Sequence, residues 1–221
     1  MQFTLAAAHQ DFFSDHQYIE FNQVFSPEDL HLLQTAITEV LRQREQKIIE
    51  TRSPKDLFKV GRDTWRDHAF IKKIVLHKRL AKIASSLFEE PLIRIAYDQA
   101  LYSFIPGEPF FQEPLSVQNV SCFQTICGAV ILRLTDTLSP PPILPQKTGN
   151  ALFVGPKFPI PWSSFCQEIP SHFLLIAYCT GRSVYVLEKR DPHTHSLKKL
   201  GYGFGDLLEE RTHPLIFNRK G

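Results

Sequence analysis

Over the first ninety residues apolar positions recur every three or four places, and from residue 92 they alternate or run together. The clearest helix opens at Ser26, a good N-cap, followed by Pro27 at the first helical position and by Glu28 and Asp29, which complement the positive helix end. Leu30, Leu33, Ile37, Val40 and Leu41 then share one face through about Gln46. Tyr18 to Phe21 reads as a short strand feeding that helix. Residues 66–88 read as two further helices, with stripes Phe70, Ile71, Ile74 and Leu80, Ile83, Ala84, Leu87, and Pro91 closes the helical region.

Strand-like patterning follows. Ile93, Ile95, Tyr97 and Leu101 to Phe104 are separated by short polar spacers, and Ile126 to Leu134 is apolar enough to be buried on both faces. Ala151 to Val154 follows a Gly149-Asn150 turn, and Pro214 to Phe217 forms a last short strand. Gly181-Arg182 is expected to join strands Phe173–Tyr178 and Ser183–Leu187 as a hairpin. Ser139 to Pro145 is expected to be a stiff extended loop, and Gly201 to Gly205 a flexible turn. Helices first and strands after predict an α+β layout whose strands close into a sandwich or barrel. The organisation expected is one domain over 1–221, with a strand and helical region at 1–91 packing on a β core at 92–221.

Composition narrows the classes. With 25 Lys+Arg against 23 Asp+Glu, no global charge draws the chain to nucleic acid or a membrane surface. Lys72, Lys73, His77, Lys78, Arg79 and Lys82 crowd one helical region, where a solvated face is favoured over an anion patch, so nucleic acid is not the expected partner. No run of about 18 apolar residues predicts a membrane span, and the first residues lack a basic export signal. The four cysteines, Cys122, Cys127, Cys166 and Cys179, form no Cys-x-x-Cys pair; Cys122 and Cys179 lie in segments that read as strands, and these two with Cys127 read as buried apolar thiols, which suits a reduced cytoplasm. Asp191-Pro192-His193-Thr194-His195 is the best local metal candidate, read as an exposed loop between strands. Nucleotide-binding glycine motifs and the Gly-x-Ser-x-Gly of hydrolases are absent.

Five segments, taken in order, resemble the phytanoyl-CoA dioxygenase-like branch of the non-haem Fe(II)/2-oxoglutarate oxygenases. They are Ser26 to Leu30, Ile105 to Glu113, Gly128 to Asp136, Gly149 to Pro156, and Gly205 to Leu208 followed by His213. The resemblance implies a double-stranded β-helix, a jelly-roll or cupin-like barrel flanked by N-terminal helices, whose mouth holds iron. It also implies a ligand set of two imidazoles and one carboxylate on one face of the metal. Carried over, Phe111 stands at the first histidine, Glu113 at the carboxylate and His213 at the distal histidine, with Arg219 and Lys220 left as clamps for the co-substrate. A phenyl ring offers no lone pair, so the resemblance is to a degenerate member of the family: Fe(II) and 2-oxoglutarate are not expected as cofactors and hydroxylation is not the expected activity. Phe110, Phe111, Gln112, Glu113, His213 and Arg219 are then candidates to rim a pocket for an unknown small molecule or protein partner. Glu113, His213, His193 and His195 are the lesser metal candidates, and His172 could join His213. Two alternatives stand beside this reading: a divergent oxygenase with an atypical metal site, and a divalent-cation-dependent transcriptional repressor.

Overall fold

In the computed structural model the described residues are 5–46, 48–135, 143–166 and 170–219. Two strongly capped helices show how local sequence sets the frame. Helix α2 (Pro27–Glu45), preceded by α1 (Ala7–His16) and the strand β1 (Tyr18–Phe21), starts where the Ser26 side chain accepts from the Asp29 backbone N–H, and it buries Leu30, Leu33, Ile37, Val40 and Leu41. Helix α3 (Pro54–Val60) uses the same device, with Ser53 accepting from Asp56 N–H. Helices α4 (Ala69–Val75) and α5 (Lys78–Leu87) complete the layer, with Lys72, Lys73, Lys78 and Lys82 outward and the apolar stripes inward.

Six antiparallel strands form one sheet in the order β1-β4-β3-β5-β2-β6, where β2 is Leu92–Ser103, β3 Ile126–Arg133, β4 Ala151–Val154, β5 Ser171–Thr180 and β6 Leu215–Asn218. The long strands β2, β3 and β5 are buried on both faces because the helices cover one side and irregular chain covers the other. The core divides accordingly. On the helix side Ile93, Ile95, Val130, Leu132, Phe153, Leu174, Ile176 and Tyr178 meet the helical stripes. On the concave side Leu101, Ile131, Leu152, Phe173 and Leu175 meet Phe58, Trp162, Phe165 and Tyr185. Crossing this concave side, segments around Leu115 and Ile160, and around Phe123 and Tyr185, pair only as isolated bridges, so the second wall of the barrel is largely irregular.

A register shift between Ile95 and Tyr97 changes which side chains reach that concave side. Ile93 and Ile95 face the helices, and simple alternation would send Tyr97 after them. The bulge reverses the parity: Tyr97 and Leu101 join the concave cluster, while Ala100 and Tyr102 face the helices.

Several expectations need correction. Ser183–Leu187 does not form a hairpin with β5, because both edges of β5 are already occupied by β2 and β3. Val184 bridges Leu207 and Tyr185 bridges Phe123 instead. Cys122 lies outside the named strands although it is buried, and Cys179 lies in β5 as expected. Helices α1 and α3 were not foreseen. Of the proline-rich stretch, residues 139–142 lie outside the described residues, as do Asp136 of the third resembling segment and Lys220.

Candidate functional site

The concave side of the sheet carries an aromatic box, a buried polar cluster and a buried histidine. Helix α3 brings Phe58 to the centre of the box. Its ring stacks on Phe110 at 4.4 Å, meets Phe111 edge-on at 5.8 Å, and lies 6.3 Å from Trp162. Phe111 in turn meets Trp162 at 5.2 Å, and Trp162 Nε1 donates to the Leu115 carbonyl at 2.8 Å. Each ring therefore adds pair geometry to the area it buries. The loop holding Phe110 and Phe111 is only half covered, and Gln112 and Glu113 are exposed.

The polar cluster is centred on Arg62. Its guanidinium lies 3.6 Å over the Tyr97 ring, Nε donates to Gln99 Oε1 at 3.0 Å, and Nη2 is 3.4 Å from Asp191 Oδ1. Asp191 is 1% exposed and also accepts from the backbone N–H groups of Cys122 (2.9 Å) and His193 (2.8 Å). Burial acts to lower the Arg62 pKa, but Asp191, with Tyr97 and Cys122, more than offsets it and leaves it raised. Burial pushes the Cys122 thiol and the Tyr97 phenol up, so neither ionises as a nucleophile near neutrality. Asp191 thus corrects the expectation of an exposed loop: the turn that carries it is anchored inward by its carboxylate. His193 is drawn in beside it, its ring 5.8 Å from Phe58 and its pKa lowered to about 3 by burial and by Arg62, while His195 stays exposed beside Phe204.

His213 lies next to the start of β2, where Arg94 Nη1 donates to its carbonyl and to Glu210 Oε2 (3.2 Å). Its Nε2 faces Arg66 Nη2 at 3.3 Å, and its Nδ1 faces Thr212 Oγ1 at 3.2 Å and Tyr202 OH at 3.5 Å. A guanidinium only donates, so Nε2 accepts and the proton sits on Nδ1. Burial, then Arg66 and Arg94, lower its pKa to about 3.

Among the described residues no hydrogen bond, ion pair or ring contact joins Phe111, Glu113 and His213. From Phe111 the contacts run to Phe58, whose carbonyl accepts from Gln99, then to Arg62, Tyr97, Phe123 and finally His213. Arg219 is elsewhere again, donating to the Ser85 carbonyl and to Ser85 Oγ on α5. His172 does not converge on His213: it pairs with Tyr102 near the far end of β2, stacking on that ring at 4.2 Å, with Nδ1 3.0 Å from Gln34 Nε2. Among the described residues no three His, Cys, Asp or Glu side chains are grouped to hold a metal. Nor do the positions carried over fit iron: one offers a phenyl ring, one a solvent-exposed carboxylate, and the third a nitrogen engaged by a cation.

The residues that sequence reasoning missed are Phe58, Arg62, Gln99 and Trp162. A signal existed for the first, since Ser53-Pro54 repeats the Ser26-Pro27 start pattern. Arg62 had no local signal, its partners being distant in the chain.

No protein-family model and no characterised protein matches the sequence, whereas comparison with solved structures gives clear matches. The non-haem alpha-ketoglutarate-dependent carbocyclase SnoK from nogalamycin biosynthesis superposes with a TM-score of 0.69 over 96% of both chains at 16% identity. The chain has the oxygenase-type jelly-roll fold. HygX from Streptomyces hygroscopicus, solved with nickel and 2-oxoglutarate bound, matches with a TM-score of 0.57 over 92% of this chain and 97% of its own, at 13% identity. CT296 from Chlamydia trachomatis matches with a TM-score of 0.52 over 81% and 99%, at 15% identity. At such identities the likeness is one of fold. No described helix is long and apolar enough to cross a membrane.

Proposed function

We propose that this chain is an oxygenase-like barrel used for binding, without 2-oxoglutarate-dependent hydroxylation. The observation that carries the reading is the packing of Phe111 against Phe58 and Trp162, at the position the resemblance assigns to an iron-binding imidazole. Hydroxylation in this fold needs three ligands and open sites for co-substrate and oxygen. Here aromatic rings stabilise that side of the sheet through burial, and a small molecule or partner segment would reach its apolar and guanidinium groups only where the chain that covers the concave face moves aside.

The test is metal analysis of the purified chain after anaerobic incubation with Fe(II) and 2-oxoglutarate, with succinate measured once oxygen is admitted. Substoichiometric iron and background succinate are expected. One iron per chain with turnover of 2-oxoglutarate would overturn the reading.

A further inference from the structure

Residues 181–214, between β5 and β6, contain no strand and a single 3₁₀ turn at Ser196–Leu200. Stretches this long without regular structure are uncommon inside compact domains and commonly serve as lids or binding loops. This one is folded largely on itself. Tyr185 N–H donates to the Asp206 carbonyl (2.9 Å), Gly205 N–H to Tyr185 (2.8 Å), Leu208 N–H to Ser183 (3.1 Å) and Glu188 N–H to Thr194 Oγ1 (3.0 Å). It lays Tyr185, Leu197, Tyr202 and Leu208 over the concave side of the sheet and leaves Leu187, Phe204 and Leu207 exposed. Its backbone ties to the body include Gln124 N–H to Val184 (3.0 Å) and Val186 N–H to Cys122 (2.8 Å).

Its deepest tie is the Asp191–Arg62 pair, whose side chains are 0% and 7% exposed. Arg62 is held as a carboxylate receptor would hold it. The guanidinium is fixed flat on Tyr97, its Nε is occupied by Gln99, and an Nη is turned to a carboxylate. The Asp191 contact, at 3.4 Å, is longer than the roughly 2.7–2.9 Å of a well-made charge-assisted bond. Asp191 is constrained by its two backbone donors, whereas a free carboxylate could close that gap. Aromatic rings around the cluster, Phe58, Tyr97 and Phe123, suit an apolar body behind such a headgroup.

We propose that residues 183–212 are a lid, and that Asp191 is an internal stand-in for the carboxylate of a small monocarboxylic acid with an apolar body, which Arg62, braced by Gln99, binds when the lid opens. The proposal rests on the reading of the barrel as a binding chamber and names its ligand class. Its test leaves the metal question separate, because iron content and succinate are read independently of lid motion.

Benzoate is the probe, used with the full chain. Hydrogen exchange should show amides of 183–212 exchanging at least ten-fold faster than those of β2, β3 and β5, with saturating benzoate speeding the lid further by displacing Asp191. Asp191→Asn removes the competing charge while keeping the side chain's shape. Calorimetric titration should show it binding benzoate at least ten-fold more tightly than the unaltered chain, and Arg62→Met should abolish binding. Lid amides as protected as those of β3, or benzoate that slows or does not change lid exchange, would overturn the proposal. So would an Asp191→Asn chain that gains no affinity. The first two readouts need only the unaltered chain, so they decide the matter even where the variants do not fold.

Discussion

His172, His193 and His213 are folded away as neutral imidazoles, with pKa values lowered to about 4, about 3 and about 3, chiefly by burial. A histidine so depressed contributes stability that is fully present above its unfolded value near 6.5 and is lost as pH falls toward the folded value. Each such group costs about 1.4 kcal/mol per pH unit in that window, or about 4 kcal/mol per unit for three. Two buried carboxyls work in the opposite sense, and burial raises both Asp63 and Asp98. Asp98 is raised to about 7 by burial and by Asp63, so the penalty it imposes at neutral pH is relieved on acidification, returning about 1.4 kcal/mol per unit between roughly pH 4 and 7. With the three histidines set against Asp98, the expectation is a loss of about 2.7 kcal/mol per pH unit below 6.5, or about 4 kcal/mol by pH 5, an upper figure because Asp63 adds to the offset and solvent partly screens His193. That is a large share of the roughly 5–15 kcal/mol that holds a typical domain together. Urea unfolding followed by tryptophan fluorescence at pH 6.5 and 5.0 measures it. His213→Gln should flatten the dependence by about one group's worth, and Asp98→Asn should steepen it by a similar amount. Equal stability at the two pH values, or an unchanged slope in His213→Gln, would refute the reasoning.

Two further outcomes follow from the same geometry. Phe111→His restores an imidazole at the resembling position but should still bind no stoichiometric Mn(II) in metal analysis, since Glu113 is exposed and Arg66 engages His213; one metal per chain would show that the three positions can converge after all. Phe58→Ala removes the ring shared by Phe110, Phe111, Trp162 and His193 and should cost about 3–5 kcal/mol. At about 2–4 °C per kcal/mol for a chain of this size, thermal melting should fall by roughly 6–20 °C. A drop of only a degree or two would mean the box is not central to the concave core.

What the sequence by itself determined was the part governed by neighbours along the chain. Ser26-Pro27 starts a helix because side chain and backbone meet within one turn, and Ile126 to Leu134 is a buried strand because nearly every residue in it is apolar. The change of period near residue 92 separated helical layer from sheet and pointed, with the resembling segments, to the jelly roll. Tertiary structure alone decided what meets on the concave side. A bulge of one residue near Ala96 turned Tyr97 inward, and no pattern of apolar spacing announces a bulge. The Arg62–Asp191 pair joins positions 129 residues apart, so neither residue's burial could be read where it stands. Asp191 looked like part of a solvated loop for the same reason: a charge stays in water unless a partner comes to it, and only the folded chain supplies that partner.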